Sequence, residues 1–334
     1  MILDKHPFIS VIVPCRNEEK YINGCLDSLI SQDYPKEKME ILVVDGASED
    51  NTEEIIKNYA EKYPFVKLFK NPKKITPVSM NIGIKNSRGE IVTKTDAHSV
   101  YQSDYISKCV NYLHEYEADA VGGVAKAVPP KNTLVAQAVA LTLGSFFGAG
   151  GSGFRTGVAK PAWADTAFGI CYRKNVFEKT GLYNENLAGS QDVELNLRLK
   201  RAGGKILLAP DIVITYYPKS SFQEFFQHNI KDGIWAILPM KYGAQLFKIR
   251  HLIPLTFVIS ILISLVVSFF LPLFLYLFIL IVGFYFLTSL FFSTRIALKQ
   301  KDIKLVPFLL IAFGIRHFGY GFGSFIGLFR LITG

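Results

Sequence analysis

The sequence is poor in cysteine and tryptophan, with 4 Cys and 2 Trp in 334 residues. Cys15, Cys25, Cys109 and Cys171 have no Cys-x-x-Cys spacing. That excludes a zinc knuckle and gives no disulfide framework. Free thiols fit a reducing cytosol. No Gly-Lys-Ser/Thr follows the glycine-rich stretch GSFFGAGGSGFRTG at 144–157, so it is not a Walker loop. It is either a lid over an acceptor or a plain loop. No basic run interleaved with aromatics is present, so the net charge of +9 does not read as nucleic-acid binding. The opening MILDKHPFISVIVP has no charged start, long apolar core or small-residue cleavage site. The expectation is that no signal peptide exports the first two thirds. Internal repeats and low-complexity tracts are absent as well. Charge itself is missing from Leu252 to Phe292.

What is there is apolar. Half of the residues are hydrophobic and the mean hydropathy is +0.25. With the basic balance, this describes a membrane protein with basic cytosolic flanks. The charge-free run is about 40 residues, twice the ~20 that one span needs. Pro272 marks a hairpin break, so two spans are expected at about 252–271 and 273–292. Arg295, Lys299, Lys301 and Lys304 follow as a basic loop, expected in the cytosol. A third apolar segment, about 305–329, contains Arg316 and His317. It is either a span with a polar site or a re-entrant or interfacial piece, since such charges cost several kcal/mol unless paired. An even number of crossings then puts the globular part in the cytosol. Before the spans, residues 220–250 read as an amphipathic helix region. Phe222, Phe225, Phe226, Ile230, Ile234, Ile237 and Leu238 recur at helical spacing. The helix packs on the domain or lies in a membrane interface, and its position favours the interface.

Residues 1–219 read as one α/β domain. FISVIVP (8–14) is a continuous apolar run, as in a strand buried on both faces. Further strands are expected at 41–44, 66–69, 91–95, 120–125, 167–172, 205–208 and 212–216. Helices are expected at about 19–31, 51–62, 77–85, 104–115 and 192–201. Strands alternating with helices predict a mostly parallel sheet with ligands at its carboxyl ends. Asp45 and Asp96 lie at two such ends. Asp96 and His98 are two positions apart and would point the same way from an extended chain. Together they are candidate ligands for a divalent ion. A carboxylate suits Mg²⁺ or Mn²⁺, and the imidazole tilts the choice to Mn²⁺. The ion would neutralise a diphosphate leaving group. Asp45 shapes an Asx turn, contacts a base or ribose, or does both. Asp192, at a helix start, is either an ordinary N-terminal Asp or a general base. Gln227 and Lys231 share a helix face and are candidate phosphate contacts.

Taken together, these stretches resemble the family 2 glycosyltransferases over about residues 8–235. SVIVPCRNE is similar to that family's nucleotide-binding opening, which implicates Pro14, Arg16, Asn17 and Glu18. VVDGASEDNT resembles its Asp-Gly/Asp-Ser turn and puts Asp45 at uracil or ribose. Asp96-Ala97-His98 takes the Asp-x-Asp slot. GSQDVELNLRLKRAG resembles the acidic motif that carries the catalytic base, here Asp192. ADTAFGICYRKNVFEKTGLYNE and HFGYGFGSFIG resemble the membrane-attached branch typified by succinoglycan glucosyltransferases. Met80 stands where many members have Arg before Asn81 of the Asn-x-Gly motif, and Lys74 is the substitute phosphate contact. No Gln-x-x-Arg-Trp occurs, so transfer of a single sugar is expected rather than processive synthesis.

The resemblance implies a GT-A fold, Rossmann-like with a mostly parallel mixed sheet, followed by the interfacial helix and transmembrane helices. It implies an inverting transferase that uses a nucleotide sugar, a UDP sugar, with Mn²⁺ or Mg²⁺. The acceptor would be a polyprenyl-linked saccharide at the cytosolic leaflet, with membrane lipids as partners and no nucleic acid. Two alternatives compete. One is a polyprenyl-phosphate sugar transferase. The other is an export subunit with a nucleotide-sensing domain, motivated by Arg316 and His317.

Overall fold

The structure, a computed structural model, describes residues 6–244 and 249–333. Residues 1–5, where part of the signal-peptide expectation falls, lie outside the described residues, as do 245–248 of the amphipathic region and 334. Two compact units are present, one of residues 1–126 with 153–216, the other of 127–152 with 217–334.

In chain order the elements are β1 (Ile9–Cys15), α1 (Ile22–Ile30), β2 (Met39–Asp45), α2 (Thr52–Lys62), β3 (Val66–Lys70), α3 (Thr76–Asn86) and β4 (Ile91–Lys94). There follow β5 (Ser99–Tyr101), α4 (Tyr105–Glu115), β6 (Ala120–Ala127), α5 (Leu134–Gly144), α6 (Phe146–Ala149), α7 (Gly153–Thr156), β7 (Ala162–Trp163) and β8 (Phe168–Arg173). Then come α8 (Asn175–Thr180), α9 (Gln191–Arg201), β9 (Ile206–Tyr216), α10 (Phe222–Ile237), α11 (Ile253–Ser268), α12 (Leu273–Gln300) and α13 (Leu305–Thr333).

The first unit is one mixed sheet in the order β3-β2-β1-β4-β8-β6-β9-β5, with β7 on β9. β3, β2, β1 and β4 are parallel, and β8 turns antiparallel against β4. Alternate residues of β1 and β2 enter two separate cores. Ile9, Val11, Val13, Ile41 and Val43 join one, while Ile12, Leu42 and Val44 join the other with Met80, Leu195 and Leu199. Burial on both faces is why these strands read as unbroken apolar runs. Pro14 fits inside β1 because β4 ends opposite Ile12, so no ladder bond is lost on that side. β9 is one strand where the sequence suggests two. Pro210 lies between the stretch that pairs with β7 and the stretch that pairs with β5.

The second unit corrects three expectations. First, residues 127–152 belong with it, not with the sheet. The apolar α5 joins this unit, and in the glycine-rich stretch Phe147 is packed rather than part of an open lid. Its ring stacks on Phe292 at 4.9 Å between centroids and lies 5.0 Å from Phe313. Second, α10 packs on α13. Gly233 faces the Tyr320 carbonyl and Gly323 faces the Ile230 carbonyl, each so closely that an added Cβ would sit 2.1 Å from the oxygen. Gly319 and Gly327 continue that small-residue face along α13. Third, Arg295 and Lys299 are on α12, which runs to Gln300, so only residues 301–304 form the basic turn.

Arg316 is paired inside this unit. It donates to Asn229 Oδ1, to Asp232 Oδ2 at 3.2 Å and to the Gly148 carbonyl at 3.2 Å. His317 meets the Phe147 carbonyl at 3.0 Å and the Tyr285 hydroxyl at 3.0 Å. These bonds pair Arg316 and His317, the two residues that motivate the export reading, within the unit. α12 and α13 are long and apolar enough to cross a membrane, and little of α12's apolar window is buried. α11, with 16 residues, spans about 24 Å, short of a ~30 Å hydrocarbon core.

Candidate active site

β4 ends at Lys94, whose side chain is 12% exposed. Its ammonium lies 2.9 Å from Asp192 Oδ2 and 3.2 Å from Asp96 Oδ1. Burial alone would push the Lys94 pKa down, but Asp192 and Asp96 outweigh it and hold the amine charged. Burial likewise opposes ionisation of Asp96, and Lys94, then His98, bring its carboxyl below the usual range. One lysine thus joins two carboxylates from residues 96 and 192. The sequence reading passed over Lys94. Its signal is a lysine in the β-branched run Ile91–Thr95, two positions before Asp96 and so on the same side of the strand.

Asp192 is the second residue of α9, where the helix dipole favours an anion. Its Oδ1 is buried and has no hydrogen-bond partner. Oδ2, held by Lys94 and at 3.4 Å by Gln191, is the oxygen left for a substrate to reach. The helix is anchored behind the site. Arg198 forks onto Glu194 at 2.7 and 2.8 Å and donates to the Leu182 carbonyl. Asn196 ties Tyr172 to Thr166. Asn81, a candidate donor contact from its motif, holds the protein itself together here. Its amide exchanges bonds with the Tyr183 backbone and donates to Glu185, so it clamps the loop before α9 onto α3.

Asp96-Ala97-His98 is not extended. The Ser99 N–H donates to the Asp96 carbonyl at 3.0 Å, closing a turn between β4 and β5. The turn separates the two side chains' partners. Asp96 faces Lys94, while His98 Nδ1 lies 3.3 Å from Glu18 Oε1 and its ring is 5.5 Å from that of Tyr216.

The two predicted nucleotide loops are stitched to each other. Gly46 N donates to the Cys15 carbonyl, Asn17 N to Ser48 Oγ, Glu49 N to Asn17 Oδ1 and Glu18 N to Thr52 Oγ1. Asn17 and Ala47 sit at φ 56° and 54°, the left-handed conformation that these tight turns require. Asp45 is fully buried and accepts from Ser48 N and Oγ. It therefore shapes the turn. Arg16 and Lys74 both lie 3.4 Å from Glu49 at the surface. Gln227 and Lys231 are exposed on α10 and belong to the second unit.

Residues 10–177 match the model of glycosyl transferase family 2. Over 331 residues the chain is 30% identical to a Methanococcus voltae dolichyl N-acetyl-α-D-glucosaminyl phosphate 3-β-D-2,3-diacetamido-2,3-dideoxy-β-D-glucuronosyltransferase, covering 97% of this chain and 98% of that one. The chain belongs to glycosyl transferase family 2. This family 2 enzyme is also 27% identical to the succinoglycan biosynthesis protein ExoA of Rhizobium meliloti, over 71% of its own length and 77% of that protein's. Among solved structures it resembles the Pyrobaculum calidifontis mannosyltransferase PcManGT, solved with GDP-Man and Mn²⁺. The TM-score is 0.60 at 20% identity, covering 93% of this chain and 87% of that one. The likeness supports the GT-A fold expected from the sequence.

Among the described residues no three His, Cys, Asp or Glu side chains converge as a metal cage. Asp96 nevertheless fits an ion that arrives with a diphosphate. It is ionised, 24% exposed and held by Lys94 through Oδ1. Mg²⁺-type sites are commonly made by one or two carboxylates plus substrate phosphates.

Proposed function

We propose that this glycosyltransferase moves one sugar from a nucleotide sugar, a UDP sugar, to a lipid-linked saccharide with inversion at the anomeric carbon. The observation that carries the reading is the shared ammonium. Lys94 brings a donor-side carboxylate, Asp96, next to a helix-anchored base, Asp192. The acceptor hydroxyl loses its proton to Asp192 as its oxygen bonds to the anomeric carbon. The bond from that carbon to the diphosphate oxygen breaks on the opposite face. A base beside a lysine suffices, because the hydroxyl becomes acidic only in the transition state. Asp96 would hold a Mn²⁺ or Mg²⁺ ion, with His98, across the turn, as the second proposed ligand, and that ion would supply positive charge to the leaving diphosphate. The stitched loops around Arg16, Asn17, Glu18 and Asp45 form the nucleoside side, with Pro14 and Asn81 supporting it from β1 and α3. Lys74 is the further cation proposed for phosphate; the amide of Gln227 and the ammonium of Lys231 are the candidate phosphate contacts carried by the second unit.

The acceptor class is argued from the M. voltae relative, whose substrate is a dolichyl-phosphate-linked N-acetylglucosamine. The apolar α12 and α13 support a membrane location. A cytosolic orientation of the catalytic unit, on the same side as the basic turn at 301–304, requires the apolar segment 252–271 that carries α11 to cross as a first span before α12, with α10 at the interface.

The test is product analysis with the purified full chain in lipid nanodiscs. The probes are UDP-2,3-diacetamido-2,3-dideoxyglucuronate, UDP-GlcNAc and GDP-mannose as donors, with dolichyl GlcNAc phosphate or dolichyl phosphate as acceptor and Mn²⁺ or Mg²⁺ supplied separately. The expected product is a β-linked disaccharide on the lipid. A sugar phosphate on bare dolichyl phosphate would instead favour the polyprenyl-phosphate alternative, and no transfer from any donor would contradict the reading.

A further inference from the structure

We infer that Lys94 is a positioning residue for the transfer reaction, orienting Asp192 and fixing it relative to Asp96. The inference rests on the proposed roles of those two carboxylates. Three observations lead to it. Lys94 is at the end of β4, a central strand of the sheet, so its backbone is fixed by pairing with Ile12 of β1. Its side chain is 12% exposed, so its ammonium is confined among its partners. The bond it makes to Asp192 Oδ2 joins residues 98 positions apart in the chain.

Asp192 has no other close restraint on that oxygen. Gln191 Nε2 is 3.4 Å away, no hydrogen bond reaches Oδ1, and the buried Tyr183 hydroxyl is the other neighbour that bears on the carboxylate. Lys94 therefore makes the shortest bond that orients the carboxylate through Oδ2. Catalytic bases are commonly held in place by such a third group. The same nitrogen contacts Asp96 Oδ1, so the donor side and the acceptor side share one restraint. A misplacement of ~1 Å at a reacting group can cost about 10²-fold in rate. Lys94 does not itself take or give the transferred proton.

The experiment compares wild type, Lys94→Met, Lys94→Gln, Lys94→Arg, Asp192→Asn and the double variant Lys94→Met/Asp192→Asn. All are full-length chains in nanodiscs, assayed with the donor and acceptor pair that wild type transfers. Lys94→Met and Lys94→Gln are expected to lower kcat about 100-fold. Donor KM should change by less than about threefold, because the interaction lost acts on the base. Lys94→Arg keeps the charge and should recover turnover to within about tenfold of wild type. The double variant should be no slower than Asp192→Asn, because a residue that acts through Asp192 has nothing left to act on. A merely structural role would instead lower the melting temperature and multiply the two losses. If Lys94→Met does not fold, Lys94→Gln, which keeps a polar amide at the site, decides alone. Turnover within threefold of wild type in either folded neutral variant, or a double variant that falls multiplicatively, overturns this inference alone. A wild type without transfer overturns the functional reading, and this inference falls with it.

Discussion

Asp192 and Asp96 are far apart in sequence and meet through one nitrogen. Each is legible singly, because a carboxylate at a strand end or a helix start is a local pattern. Their meeting is not, because a pairing over 98 positions leaves no periodic trace. His98 is the other lesson at this scale. The pattern puts it beside Asp96 at the end of an extended strand; in the structure the Asp96–Ser99 turn replaces that strand, and His98 Nδ1 lies 3.3 Å from Glu18 Oε1. Glu40 shows a buried carboxylate doing structural work instead. It is fully buried in β2 and accepts bonds from Ser10 Oγ, the Arg88 backbone and side chain, and Lys67. Burial alone would raise its pKa, but those bonds outweigh it and hold it below the ordinary 4.5. A carboxylate with a lowered folded pKa adds stability above its unfolded pKa and loses it as pH falls through the folded value. Glu40→Gln should therefore cost about 2 kcal/mol at pH 7. In denaturant titrations the gap from wild type should shrink as pH drops below 4.5. A gap that stays constant down to strongly acidic pH would contradict the assignment.

At the scale of elements, alternating strands and helices were readable because buried parallel strands are continuous apolar runs and their helices have one apolar face. The short β5 was missed, since three residues carry no period. α10 reads as an amphipathic helix that packs on the protein or lies in a membrane interface, and in the structure it packs on α13. The cause is visible in glycine. Gly319, Gly323 and Gly327 recur every fourth residue on α13, and Gly233 answers them from α10. Backbones come close because there is no side chain between them. Gly323→Ala would drive a Cβ to 2.1 Å from the Ile230 carbonyl. It should lower stability in detergent by about 2 kcal/mol, within the usual cost of overpacking. Gly314, on the same helix, has nothing within 4 Å of a built Cβ. Gly314→Ala should be neutral or stabilising by up to about 1 kcal/mol. Equal melting temperatures for the two variants would argue against the α10–α13 contact.

At the scale of the whole molecule, the sequence suggested a boundary near 219 and a single catalytic block before it. The structure moves 127–152 to the second unit, with Phe147 seated among aromatic side chains of α12 and α13. That regrouping was not readable, because the stretch is apolar, and an apolar helix looks the same whether it packs on a sheet or among other helices. In the second unit Arg316 is held by Asn229 and Asp232, which fits a membrane-anchoring role better than a conduction path. Family membership, the GT-A sheet and the Asp96–Lys94–Asp192 cluster together support one central claim, that Asp192 is the base of a glycosyl transfer. Turnover of the full-length chain in nanodiscs, measured for wild type and Asp192→Asn alongside calorimetric binding of UDP, tests it most directly. The account predicts that Asn at 192 lowers kcat by at least about 10³-fold while the UDP affinity stays within about threefold. Wild-type turnover by Asp192→Asn would contradict it.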